Sequence, residues 1–270
     1  YDTLGSEVNV LARSTFLKEL NPNTKKYVLE KIIPNVNVME NTDVVEAFEN
    51  KVLTGDGEEL EGIPFFATGR TPNSEIARGF VELNPDNTIK VNEMMQTSVD
   101  NVYAAGDVTG KIMLAHVASR QAEVAIGRML KQLPLQRIAY NAIPSVVYTH
   151  PEIACVGLTE KDLNDIREGD FAPSMSTDKP FVEYEVHKLP MTFSGRFVAE
   201  NEGETGLCKV IVDKKNKTII GVHMIGNPCS EFVAAASFAV RMGYTVAEFK
   251  QVVFPHPTVG EVLREVIMEA

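Results

Sequence analysis

A chain of 270 residues, 44% hydrophobic and 23% charged, has the balance of a folded globular protein with material for two or three compact units. Its 26 basic and 37 acidic residues leave a formal charge of −11, which opposes attraction to nucleic acid or anionic lipid. No apolar run approaches the roughly 18 residues needed to cross a bilayer, and no basic-then-apolar leader opens the chain. No nucleic-acid or membrane partner is expected, and a cytoplasmic setting is the default. The three cysteines, Cys155, Cys208 and Cys229, lie far apart with no CxxC or metal-ligand spacing, so they read as structural thiols and no metal site is expected.

Tyr1-Asp2-Thr3-Leu4-Gly5 reads as the last turn of a helix closed by glycine, and a chain that opens there is expected to lack what came before. Residues 7–12 alternate as a short strand does, and residues 23–33 follow a helical period that Pro34 stops. Residues 36–39, 43–48 and 51–54, with the turn Thr54-Gly55-Asp56-Gly57, predict a small antiparallel set. An apolar strand is predicted over 63–69, then short strands at 88–91 and 102–105. A strongly helical stretch covers 116–133 and is closed by Pro134. From about Ile143 the pattern becomes α+β. Strands are predicted at 146–148, 153–156, 181–189 and 196–200, and a hairpin joins 207–213 to 218–225 across Lys214-Lys215-Asn216-Lys217. Helices at 230–242 and 246–252 and a final helix from about Val259 complete the chain, which carries no internal repeat.

Four segments carry candidate chemistry. In Thr97 to Val108 a strand ends in Gly106-Asp107, which puts a carboxylate at the carboxyl end of a strand, where open α/β sheets bind ligands. Asp107 could accept from a sugar-like hydroxyl or simply close a surface turn. Lys111 to His116 opens a helix, where backbone N–H groups favour an electron-rich group. In Ala67-Thr68-Gly69-Arg70-Thr71-Pro72-Asn73, Gly69 would allow close approach of a cofactor's backbone. In Phe254-Pro255-His256-Pro257-Thr258-Val259-Gly260-Glu261, two prolines restrict the backbone around His256, and the first turn of the last helix could return Glu261 to the imidazole. Such a pair suits proton transfer near neutral pH, although a His and a Glu five apart are also a common surface coincidence.

Taken together, these segments resemble the FAD-dependent pyridine nucleotide-disulfide oxidoreductases, and the dihydrolipoamide dehydrogenases among them, from about Gly5 to Glu261. The resemblance implies a fold class of α/β plus α+β: a partial nicotinamide-binding domain at 1–67, the C-terminal segment of an FAD-binding domain at 68–142 and a dimerisation domain at 143–270. It implies that Asp107 holds the ribityl chain of FAD, that Met113, Leu114, Ala115 and His116 line the flavin without an acid–base task for His116, and that Gly69 and Val44 belong to the nucleotide site. It further implies that His256 is the acid–base for thiols, oriented by Glu261 and acting across a homodimer interface on a disulfide such as that of lipoamide. The segment from Tyr148 to Glu160 is also similar to the family, and His150 reads there as structural. At the coenzyme ribose the chain departs from the dihydrolipoamide dehydrogenases. Ala12-Arg13 stands where an acidic residue marks NAD, so it resembles the NADPH-using mercuric reductases, and both NADP and NAD stay open. The family's glycine-rich turn and its C-x-x-x-x-C pair are absent from these 270 residues, so the chain alone is expected to be inactive. A non-catalytic dimerisation module is the alternative reading.

Overall fold

The computed structural model describes residues 1–17, 22–131, 137–168 and 182–270. They form two compact units, Tyr1–Gly69 with Thr159–Lys161, and Arg70–Leu158 with Asp162–Ala270.

In the first unit, β1 (Asn9–Ala12) pairs in parallel with β2 (Asn37–Glu40), Ala12 opposite Glu40. Between them runs α1 (Pro22–Tyr27), which continues as one π turn, Val28–Ile32, and ends before Pro34. The sequence placed 36–39 in an antiparallel set, and the structure corrects this. A helical crossover of this length is what a parallel pair requires, whereas antiparallel neighbours are joined by tight turns. Such a set does exist just beyond, in the order β3 (Val44–Ala47), β4 (Lys51–Thr54), β5 (Glu59–Glu61). The β4–β5 turn is tied by Thr54, whose hydroxyl receives the Glu58 N–H at 3.0 Å. The strand predicted over 63–69 is not formed. No ladder reaches it among the described residues, and Ile63, Phe65 and Phe66 stand 91%, 76% and 65% exposed. Apolar sequence makes a strand only where a neighbour takes up its backbone groups.

In the second unit, the strands predicted at 88–91 and 102–105 are reduced to the isolated bridges Leu83↔Ile89 and Gln96↔Tyr103. Local side chains take the backbone donors there. Asp86 receives the Thr88 N–H at 3.0 Å and Asn92 receives the Met94 N–H at 2.8 Å, which favours turns over ladders. Helix α2 (Ala115–Met129) buries Val117, Gln121, Val124 and Ala125, one face at helical spacing. Pro134, expected to close it, lies outside the described residues.

The C-terminal portion is built on an antiparallel sheet in the order β6 (Ser145–Val147), β7 (Ile153–Gly157), β10 (Ile219–Ile225), β9 (Leu207–Asp213), β8 (Tyr184–Leu189). The first residue of the predicted 181–189 strand lies outside the described residues. On one face, Cys208, Val210, Val212, Val222 and Met224 pack with α5 (Cys229–Met242) and α7 (Glu261–Met268), through Val233, Ala236, Val262, Leu263 and Val266. On the other face, Ile211 meets Leu163 of α3 (Glu160–Glu168), a helix the sequence reading missed because only Leu163 and Ile166 are apolar in its nine residues. Residues 196–200, predicted as a strand, form the short helix α4 (Gly195–Glu200). Ser194 caps it, receiving the Phe197 N–H, and Phe197 is fully buried. A capping box at Thr245 and Glu248 starts α6 (Val246–Phe249).

Candidate active-site groups

The sequence-predicted dyad is assembled. His256 Nδ1 lies 2.9 Å from Glu261 Oε1 and 3.2 Å from Oε2, so an ionised Glu261 makes Nδ1 the donor and leaves Nε2 to face outward. His256 is 81% exposed, and Glu261 is 23% exposed at the start of α7. Glu261 also receives the Thr258 N–H at 2.8 Å. That backbone donor first, and the imidazole after it, hold the Glu261 carboxyl below its ordinary pKa. The loop can deliver this geometry because Thr258 Oγ1 donates to the Pro255 carbonyl at 2.9 Å, closing a turn around His256.

Asp107 opens a 3-10 turn, Asp107–Thr109, directly after Gly106, whose φ of 86° suits a residue without a Cβ. The turn is fastened from behind by Gln121 of α2, fully buried, which receives the Gly106 N–H at 2.6 Å and donates to the Tyr140 hydroxyl at 3.1 Å. Arg70 joins two of the predicted elements: Nη1 lies 3.4 Å from Asp107 Oδ2 and donates to the Met113 carbonyl at 3.0 Å. From sequence, Arg70 stands only within the Ala67–Asn73 segment, with no role of its own. Met113 and Leu114 are partly buried, Ala115 and His116 exposed, and Leu114 supplies no side-chain cap to α2. The His116 Nε2 reaches the Pro144 carbonyl at 2.9 Å, a hydrogen bond between segments that gives the ring a holding role.

In the first unit, Arg13 follows the carboxyl end of β1 and is exposed, with no ion pair among the described residues. Thr42, in the β2–β3 connection, donates its N–H to the Ala12 carbonyl at 3.0 Å, and Val44 opens β3 two residues later. Glu40, at the end of β2, is engaged by Lys25 Nζ and the Phe16 N–H, both at 2.5 Å. Gly69 adopts φ 102° with open space where a Cβ would stand. No hydrogen bond joins Gly69 to Arg13 or Val44 among the described residues.

His150 Nδ1 receives the Asn227 amide at 2.8 Å and its Nε2 lies 3.3 Å from Glu204. All three cysteines are free, and burial pushes the Cys229 thiol up to about 12 and the Cys155 and Cys208 thiols upward as well, so none is a ready thiolate near neutral pH.

Residues 1–122 match the pyridine nucleotide-disulphide oxidoreductase family, and residues 143–267 match the dimerisation domain of that family. The chain belongs to the pyridine nucleotide-disulphide oxidoreductases. It is 29% identical over 277 aligned positions to the dihydrolipoyl dehydrogenase of Mycoplasma pneumoniae, covering 100% of this chain and 57% of that protein. Against the dihydrolipoyl dehydrogenase of Buchnera aphidicola the identity is 31%, over 97% of this chain and 54% of the relative. The chain thus spans little more than half the length of these relatives. Among solved structures, LpdA of Mycobacterium tuberculosis superposes with TM-score 0.85 at 24% identity, over 98% of this chain and 57% of that one. The flavoprotein disulfide reductase RclA of Escherichia coli does so with TM-score 0.81 at 20% identity, over 98% of this chain and 59% of RclA. At these identities the structural likeness bears on the fold, which matches the α/β plus α+β class expected from sequence.

Proposed function

We propose that this chain serves a flavin-dependent disulfide oxidoreductase of the dihydrolipoamide dehydrogenase type, working as a homodimer in the cytoplasm. Its three parts are a nicotinamide-binding portion at 1–67, an FAD-binding portion at 68–142 and a dimerisation portion at 143–270. The observation that carries the reading is the 2.9 Å contact between His256 Nδ1 and Glu261, which leaves an exposed Nε2 able to take or return a thiol proton. The carboxylate holds one tautomer and stabilises the imidazolium formed when Nε2 accepts that proton. Cytoplasmic placement is supported by the three free thiols.

The residues present fit a flavin. Asp107 is presented by a turn that Gln121 fastens, with Arg70 beside it, and the first N–H groups of α2 at Ala115 and His116 carry no side-chain cap. Asp107 would hold sugar-like hydroxyls, and Met113 to His116 would border the electron-rich ring by backbone and apolar contacts. Bound there, FAD would supply the two-electron relay between a nicotinamide and a disulfide. Gly69, Val44 and Arg13 would meet the nicotinamide coenzyme. Glu40 is engaged by Lys25 and Phe16, whereas Arg13 is exposed with no ion pair among the described residues, which favours the 2′-phosphate of NADPH over NADH.

His256→Gln in the full-length protein should lower dihydrolipoamide turnover by roughly 10²–10⁴-fold, the range for a positioned proton-transfer group. Reduction of an artificial electron acceptor by the nicotinamide should stay near wild type. Turnover within twofold of wild type would remove the dyad from the mechanism. A second reading, a self-sufficient dimerisation module, is favoured by the sheet core lying wholly within residues 146–270. The two readings apply to different lengths of chain.

A further inference from the structure

The backbone of Thr258 is held at both of its polar groups. Its N–H donates to Glu261 Oε2 at 2.8 Å, and its carbonyl receives the Ser194 hydroxyl at 2.9 Å. Ser194 is 4% exposed and lies in the preceding chain at the N-cap of α4, sixty-four positions before Thr258. Its single hydroxyl proton goes to Thr258, while a lone pair receives the Phe197 N–H at 3.2 Å. Arg196 of the same helical turn adds a longer contact, Nη1 to the Pro257 carbonyl at 3.4 Å.

The start of α4 therefore grips the loop that carries His256, at the residue whose N–H fixes the Glu261 carboxylate. His256 itself is 81% exposed, so its orientation depends on Glu261 rather than on packing. We infer that Ser194 is a positioning residue for the His256–Glu261 pair, registering the loop against the sheet domain so that carboxylate and imidazole stay aligned. Without the hydroxyl, the Thr258 carbonyl loses its donor beside a buried side chain and the turn shifts to find water. A displacement of about 1 Å at such a loop is enough to cost a reaction on the order of 10²-fold. The inference deepens the proton-transfer reading of the dyad and rests on it for its catalytic consequence, but the positioning itself can be measured without turnover.

Two substitutions separate capping from positioning. Glycine is tolerated at an N-cap nearly as well as serine but has no hydroxyl, so Ser194→Gly keeps α4 and removes the grip; Ser194→Thr keeps both. In the 270-residue chain, NMR should show Ser194→Gly with Thr258 amide exchange faster by roughly 2- to 10-fold, the weight of one hydrogen bond. The His256 ring nitrogen shifts should move from a single Nδ1–H tautomer toward a mixture, and Ser194→Thr should restore both. In the full-length enzyme, Ser194→Gly should lower kcat for dihydrolipoamide by about tenfold or more with KM within about twofold, and Thr should recover it. Wild-type exchange and tautomer in Ser194→Gly would overturn the inference whatever the kinetics. Altered NMR markers with unchanged turnover would uphold Ser194 as the anchor of the pair and sink the proton-transfer reading instead. Should Ser194→Gly not fold, Ser194→Asn, a strong cap whose donor sits one bond further out, is expected to show the same two NMR changes, and wild-type values there would equally overturn it.

Discussion

At the scale of single residues, the dyad makes a pH-dependent contribution whose sign follows from the carboxylate. The Thr258 N–H and then His256 hold Glu261 below its ordinary value of 4.5, so the native state prefers the ionised form. Its stabilisation is complete above the unfolded value and is lost as pH falls through the lower folded value. Thermal melts of wild type and Glu261→Gln should therefore differ at neutral pH, with the wild type higher, and converge as pH drops below about 4.5. A gap that widens in acid would contradict the assignment. Arg13 carries the second residue-scale expectation. In the full-length protein, Arg13→Glu should lower the NADPH-to-NADH ratio of kcat/KM by about 10- to 100-fold, the equivalent of a charge-assisted hydrogen bond of roughly 1.5–3 kcal/mol. An unchanged ratio would detach coenzyme choice from this position. His256, Glu261, Asp107 and Arg13 could be picked out from sequence because each stands in a short segment that resembles a family motif, where the residue types alone left an ordinary surface reading open. Arg70, Gln121 and Ser194 could not, because each acts on a partner 15 or more positions away, and only folding brings those atoms within hydrogen-bond reach.

At the scale of elements, the central ladder of the sheet leaves no room for side chains at its crossing with the β7–α3 connection. Gly221 is paired with Gly157, and a Cβ on Gly221 would stand 2.1 Å from the Leu158 carbonyl oxygen. Backbone cannot yield as a flexible side chain can, so Gly221→Ala should destabilise the second unit by about 1–3 kcal/mol or more, read as a lower denaturation midpoint in urea. A midpoint equal to wild type would mean that the strands part at little cost. The elements best anticipated were those whose pattern is self-contained: the 207–225 hairpin, the helix from 115 and the helices of the C-terminal part. The errors share a cause. Residues 196–200 carry no sustained alternation, and the Ser194 cap starts them as a helix. Residues 36–39 are a strand as expected, but their direction was settled by the helical crossover that precedes them.

At the scale of the whole molecule, residues 143–267 match a dimerisation domain, and the 270-residue chain is expected to sediment at twice its monomer mass at micromolar concentration. A monomer at that concentration would place the dimer contacts elsewhere in the full-length protein. On the proposed reading, mixing the His256→Gln full-length variant with a full-length variant lacking the proposed redox cysteine pair should restore part of the activity, because a two-fold assembly would rebuild one intact site per heterodimer. Verified heterodimers without activity would show that His256 serves its own subunit. By itself the sequence determined the order of most elements, through periodicity and turn chemistry that act locally, and, through its resemblance to a known family, the class of fold and the candidate pair His256 and Glu261. Only the tertiary structure decided the parallel pairing of β1 with β2, the helix at 195–200 and the bonds by which Arg70, Gln121 and Ser194 hold the candidate groups in place. Those depend on long-range hydrogen bonds, and the donors and acceptors that make them are chosen by packing rather than by any neighbour in the chain.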